Sequence, residues 1–365
     1  MAGKYDVIVV GGGISGTITA AYLAKSGRKV ALLEATDQIG GQYWGAYTRP
    51  GGYKTEYTSH LPAWFAFANG GGGYWAKAAN DVGANIQWVV MPNNATWAYK
   101  TMKEPVILPI CSTGDAFVEF YQKLIPQPLP ESTKVGLSRL FESMKAMSPE
   151  QKWGEKADET PAIEWIRSVT DDEGAIYCMA RVAGFVGAET ASALEQTSIT
   201  LFSASFGVYS GSFFLTAIQG DTSCKIPQEF ARVARDNGAD ILLSSTVHEI
   251  IIDDRAARGV RVAGKDGEMT LEAETVVIST FWNQYRRLLG SHIPRGYEAT
   301  LAKFESNRRV TLDVHYGLNK DIVKYPNWAN VMLLDENYEY DFMIAVPSFY
   351  NNAFAPQGKQ LIQIE

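Results

Sequence analysis

Gly11, Gly13 and Gly16 stand at the spacing G-x-G-x-x-G, and Glu34 follows 23 residues after the first of them. Glycines at that spacing, with an acid about 20 residues on, suit a dinucleotide. Gly11 permits a tight turn. Gly13 lets the backbone approach a pyrophosphate. Gly16 lets a helix pack closely on a strand. Glu34 can accept hydrogen bonds from ribose hydroxyls. The chemistry expected here is the holding of phosphates by backbone N–H groups, since the start of a helix offers free donors and partial positive charge.

Three elements must position these residues. The apolar run Val7-Ile8-Val9-Val10 reads as a buried parallel strand. A helix is predicted from about Ser15 to Ser26, stopped by Gly27. Lys29 to Leu33 is a second strand, with Glu34 at its end. A second glycine run, Gly70 to Gly73, follows no apolar strand and has no acid about 20 residues on, so it reads as a turn before a helix at 74–81.

Composition bounds the rest. The chain has 365 residues, 46% hydrophobic and 20% charged, enough for two domains with sizeable cores. A net charge of −7 and the lack of a basic run argue against nucleic acid as a partner. Cys111, Cys178 and Cys224 form no C-x-x-C and read as buried thiols in a reducing cytoplasm. His60, His248, His292 and His315 have no zinc spacing. The first strand begins too early for a signal peptide, and no stretch is apolar enough to span a membrane. Residues 61–76, 82–99 and 196–220 carry no charge, and the first two are rich in aromatics. They read as buried protein or as walls of an apolar pocket, with shallow membrane contact as the alternative. There is no G-x-S-x-G, H-E-x-x-H or P-loop lysine, so no hydrolytic or kinase machinery is read.

Further along, residues 115–197 follow mostly helical spacing, broken by prolines at 126, 128 and 130. Ser148 to Pro161 reads as a solvated connector. Pro227 to Asn237 is a predicted helix, Ile241 to Leu243 a strand, and Thr246 to Asp254 an alternating strand followed by hairpin partners. His248 should face opposite to Val247 and reads as structural. Glu274 to Thr280 is an apolar strand ending in small polar residues, and strand-like stretches recur between Arg309 and Ile364.

After Glu34 come Ala35-Thr36-Asp37-Gln38-Ile39-Gly40-Gly41-Gln42. A glycine pair after the ribose acid is typical of the glutathione-reductase-like FAD class, and this chain resembles its phytoene desaturase and amine oxidase-like flavin oxidoreductases. The stretch from Gly220-Asp221 through Gly238 to Val247 is similar to that family's returning segment, Ser279-Thr280 to another segment near the cofactor, and Gly51 to His60 to the loop beside the isoalloxazine ring. The resemblance extends over nearly the whole chain. It implies an α/β fold, with a discontinuous Rossmann-like FAD-binding domain (1–60 and 211–285) and an inserted α+β substrate domain (61–210 and 286–365).

It also implies FAD as cofactor. The implied contacts are Gly11, Gly13, Ile14, Ser15, Gly16, Glu34, Ala35, Gly40, Gly41, Gln42, Ser59, His60, Val247 and Thr280. Val247 would meet the adenine through its backbone. The family has arginines beside the glycine pair, whereas this chain has Gln38 and Gln42, which leaves less positive charge for the pyrophosphate. His60 is the candidate acid or base, set against a purely structural histidine. Tyr43, Trp44, Tyr47, Tyr53 and Tyr57 are candidate pocket walls.

The resemblance and the charge-poor segments together point to hydride transfer on an apolar substrate, isoprenoid- or terpene-like, by a desaturase, dehydrogenase or isomerase. Amine oxidation is the alternative enzyme class, although its aromatic cage near the C-terminus is not found. The family closes its flavin site with a further strand and glycine-rich helix start, which do not follow Ile364. The expectation is a cut or processed chain, a second polypeptide or self-association completing the site, or a non-catalytic FAD-binding or scaffold subunit.

Overall fold

A computed structural model describes residues 4–43, 57, 73–90, 96–99, 106–107, 109–125, 127–184, 191–210, 216–218, 223–265, 267–306, 313–324, 330–334 and 342–364. The early strands are β1 (Tyr5–Val10), β2 (Val30–Leu33), β3 (Trp88–Val90), β4 (Thr96–Tyr99), β5 (Val106–Ile107) and β6 (Thr216–Ile218). Then come β7 (Asp240–Leu242), β8 (Thr246–Asp253), β9 (Ala256–Gly264) and β10 (Gly267–Ile278). The last are β11 (Val314–Leu318), β12 (Asn330–Leu334), β13 (Phe342–Ala345) and β14 (Gln360–Ile364).

The chain divides into two compact units. The first comprises 1–89, 216–313 and 351–357, and the second 90–215, 314–350 and 358–365. In the first, six strands are ordered β7-β2-β1-β10-β9-β8. β1 pairs in parallel with both β2 and β10, and β2 in parallel with β7. β9 and β8 continue from β10 as an antiparallel meander. Val7 to Val10 of β1 form an unbroken apolar run because both faces are covered. Val7 and Val9 pack in a cluster with Ala20, Ala21, Ile226 and Phe230. Those residues belong to helix α1 (Ile14–Lys25) and to the helix Lys225–Asp236. Ile8 and Val10 pack in another cluster with Val247, Val260, Val262 and Leu271 of the meander. Alternation along one strand thus assigns successive residues to two cores.

This division differs from the boundaries read in the sequence. Helix α2 (Tyr74–Val82) lies in the first unit because Ala78, Ala79 and Val82 join the cluster that holds Val7 and Val9. Its Asp81 also accepts from the Tyr22 hydroxyl of α1 at 2.7 Å. The short helix Tyr285–Leu289 stays there too, since Leu288 is buried with Val247 and Ile250.

In the second unit, strands are ordered β11-β14-β13-β12-β4-β5, with β12 and β4 parallel. Its helices share a separate core that includes Phe117, Tyr121, Phe141, Phe206 and Tyr209. The buried Tyr121 hydroxyl donates to the Cys178 carbonyl at 2.6 Å. The stretch expected as a solvated connector is instead helical over Pro149–Trp153 and Glu155–Glu159. Ser148 and Gln151 form a capping box there, which satisfies backbone donors that charge density alone does not reveal. Phe141 is fully buried, with Phe117 and Phe206 ring centroids each 5.1 Å away. Phe141→Ala should cost about 3–5 kcal/mol of this unit's stability. Urea unfolding followed by tryptophan fluorescence measures it, and a loss below about 1 kcal/mol contradicts the packing described.

Cys111, Cys178 and Cys224 are all buried. Among the described residues no cluster of three His, Cys, Asp or Glu could hold a metal ion. Among the same residues no helix is long and apolar enough to cross a membrane.

Candidate functional site

The ends of β2, β1 and β10 meet at the glycine turn. Gly11 N–H donates to Leu33 O, and Ser279 N–H donates to Val10 O, each at 2.8 Å. Gly11 has φ +111°, a conformation that side chains resist. A Cβ placed there would lie 2.5 Å from Ser279 O. At Gly16 a Cβ would lie 1.9 Å from Gly11 O. α1 therefore rests directly on the turn, and the first-turn N–H groups of Ile14 and Ser15 have no intrahelical acceptor. No acidic side chain occupies that first turn, so its partial positive charge is uncompensated locally.

Glu34 is buried, and its carboxylate braces the site. Gly12 N–H donates to Oε2 at 2.7 Å, and Thr36 N–H donates to Oε1 at 2.8 Å. The second glycine pair docks on the first turn: Gly40 N–H donates to Gly12 O at 3.1 Å, and a Cβ on Gly41 would lie 2.8 Å from Gly13 Cα. The start of β8 is tied in as well, through Ser245 N–H to Glu34 O at 2.8 Å and Ser244 N–H to Thr36 O at 2.7 Å.

These segments enclose a cleft of about 600 Å³. Of the residues read from the sequence, Gly11, Gly13, Ile14, Ser15, Glu34, Ala35, Gly41, Gln42, Val247 and Thr280 line it. Gly16 sits behind the turn, and Gly40 braces it through Gly12. Ser59 and His60 lie outside the described residues, as do Trp44, Tyr47 and Tyr53. Tyr43 lines the cleft, and burial pushes its phenol well above the usual range, so it stays neutral. His248 is half-buried, with Nε2 3.3 Å from Glu268 on the neighbouring meander.

Gln284 and Arg287 also line the cleft, and the motifs did not point to them. They follow the end of β10 with no fixed spacing to the glycine turn. Among the described lining residues, Glu34 and Arg287 are the charged ones.

The fold and cleft define a dinucleotide-binding protein whose second glycine pair packs on the first. Residues 6–91 match the family model described as FAD dependent oxidoreductase. A chloroplastic prolycopene isomerase from Daucus carota is 22% identical over 392 residues, covering 99% of this chain and 61% of that protein. The chain thus spans less than two thirds of that relative. Flavin-containing amine oxidase B from Homo sapiens is 55% identical over 42 residues, 12% of this chain and 8% of that one. An oxidoreductase structure from Methanosarcina mazei superposes with a TM-score of 0.71 at 18% identity, covering 99% of this chain and 78% of that one. Residues 6–91 thus carry the likeness to FAD-dependent oxidoreductases, a family whose cofactor is FAD.

The residues present fit that group. The glycine turn leaves room for a pyrophosphate against Ile14 and Ser15 N–H groups. Thr280 Oγ1 is buried at the cleft with no hydrogen-bond partner among the described residues, a polar atom left for a ligand to satisfy. The Glu34 carboxylate lines the same cleft at the end of β2, where ribose hydroxyls would be met.

Proposed function

We propose that this chain binds FAD in the cleft at the ends of β1, β2 and β10 and serves as an oxidoreductase for an apolar, isoprenoid- or terpene-like substrate. The observation that carries the binding step is the joint placement of the Gly11–Gly16 turn and the Glu34 carboxylate on one cleft. Bound FAD supplies two-electron chemistry, taking a hydride equivalent from carbon or returning one. The chain's own part is positional. Gly13, Ile14 and Ser15 present backbone to the phosphates, Glu34 accepts from the ribose, and Thr280 Oγ1 offers a further polar contact. The apolar substrate class is supported by the charge-poor segments 82–99 and 196–220 and by likeness along the chain to a prolycopene isomerase. The amine oxidase match covers only 42 residues, 12% of this chain, too short a stretch to speak to the substrate.

The test is direct. The full chain, purified without added flavin and again after reconstitution, should carry close to one FAD per chain, measured by visible flavin absorbance. Anaerobic addition of a polyene should then bleach or shift the flavin band, while a primary amine should leave it unchanged. Failure to retain FAD after reconstitution overturns the binding step. Bleaching by the amine alone overturns the substrate class. Retained FAD that no candidate substrate alters identifies a flavin-binding subunit without catalysis of its own.

A further inference from the structure

Arg286 and Arg287 are neighbours in the short helix Tyr285–Leu289, yet they have different surroundings. Arg286 is committed to acids, with Nε donating to Glu298 Oε1 at 2.8 Å and Nη1 to Glu305. Arg287 has no carboxylate partner among the described residues. Its Nη1 donates to the Val247 carbonyl at 3.0 Å, and its Nε donates to Gln284 Oε1 at 3.1 Å. Two bonds to neutral acceptors fix the guanidinium fork without cancelling its charge. Arg287 lines the cleft and is exposed, and no other cation lines it among the described residues.

The position along the cleft is equally defined. Gly13, Ile14 and Ser15 mark the phosphate end, where α1 begins. Val247 lines the same cleft, two residues after Ser245, whose N–H donates to the Glu34 carbonyl at 2.8 Å, so the start of β8 is tied to the residue that also braces the glycine turn. A guanidinium anchored on Val247 O therefore enters the cleft from the β8 side, while the backbone donors of Ile14 and Ser15 enter it from α1.

We propose that Arg287 is a recognition residue for the adenosine half of the dinucleotide, its guanidinium plane packing against the adenine face. The proposal rests on the FAD reading above. A planar, weakly hydrated cation stacks on an aromatic face as an ammonium cannot, so arginine is specifically needed.

Calorimetric titration of the flavin-free full chain with FAD, ADP and FMN tests this. Arg287→Ala should weaken FAD and ADP alike, by about tenfold. Arg287→Lys should fail to restore either affinity, and FMN affinity should be the same in all three proteins. Arg286→Ala, which removes ion pairs outside the cleft, should leave FAD affinity at the wild-type value. Wild-type FAD affinity in Arg287→Ala overturns the proposal while leaving the FAD reading intact. Full rescue by lysine overturns adenine packing in favour of a charge contact to the phosphates, and weaker FAD with unchanged ADP overturns it in favour of a contact to the flavin half. A wild-type chain that binds neither FAD nor ADP overturns the FAD reading itself. Thermal melts of each variant separate a binding defect from unfolding.

Discussion

Gly16→Ala should leave the purified protein almost without flavin. The new Cβ would lie 1.9 Å from Gly11 O, 3.1 Å from Gly11 C and 3.2 Å from Ser279 Oγ. The first two are main-chain atoms of the turn, held in place by Gly11 N–H on Leu33 O. Neither can rotate away as a side-chain end could. α1 must lift from β1, which moves the Ile14 and Ser15 N–H groups off the phosphates and loosens Ala20 and Ala24 from the sheet. Overpacking of this kind costs about 1–3 kcal/mol of stability. The cost to binding is larger, because phosphate contacts depend on placement to a fraction of an ångström, and a loss of about a hundredfold or more in FAD affinity is expected. The flavin-to-protein ratio after gel filtration measures it. Gly296→Ala is the control, since a Cβ there meets nothing within 4 Å. A Gly16→Ala protein with one FAD per chain contradicts the role given to the turn.

Glu34 carries the second large effect, and its conservative variant is informative. The buried carboxylate accepts from Gly12 N–H on one oxygen and from Thr36 N–H on the other, with the Thr36 hydroxyl also 2.8 Å from Oε1. Glu34→Ala leaves those donors without an acceptor, which costs about 2–4 kcal/mol in stability. It also removes the ribose acceptor, and FAD affinity should fall by about a hundredfold. Glu34→Gln keeps the shape but must turn its amide NH₂ toward Gly12 N–H or Thr36 N–H, a donor facing a donor. It should therefore lose at least about tenfold in FAD affinity. Calorimetry with FAD gives the affinities, and urea unfolding of the flavin-free chain gives the stabilities. Wild-type affinity in Glu34→Gln contradicts the role given to the carboxylate.

The part of the site legible in the sequence is the part built by neighbours in the chain. Gly11, Gly13 and Gly16 lie between β1 and α1, and Glu34 ends the very next strand. Their spacing fixes their geometry because a strand, turn and helix of this length have few ways to pack. The docking of Gly40 on Gly12 is also local, within 30 residues. The two-faced burial of β1 was readable because a run with both faces covered needs no alternation.

Other features depended on long-range packing. Beyond the local capping box at Ser148 and Gln151, the helical turns within 148–161 rest on the burial of Ala157. The placement of α2 and of Tyr285–Leu289 in the first unit rests on which core their apolar faces found. Arg287 is the clearest case. Adjacent arginines with the same propensities give no signal of which meets acids and which meets the cleft.

By itself, then, the sequence determined a glycine turn between strand and helix, an acid at the end of the next strand and a second glycine pair, and with them the expectation of FAD. Only the tertiary structure decided what else lines that cleft, because Val247 and Arg287 join Glu34 there through sheet pairing and helix packing across more than 200 residues, and such contacts carry no fixed spacing in the chain.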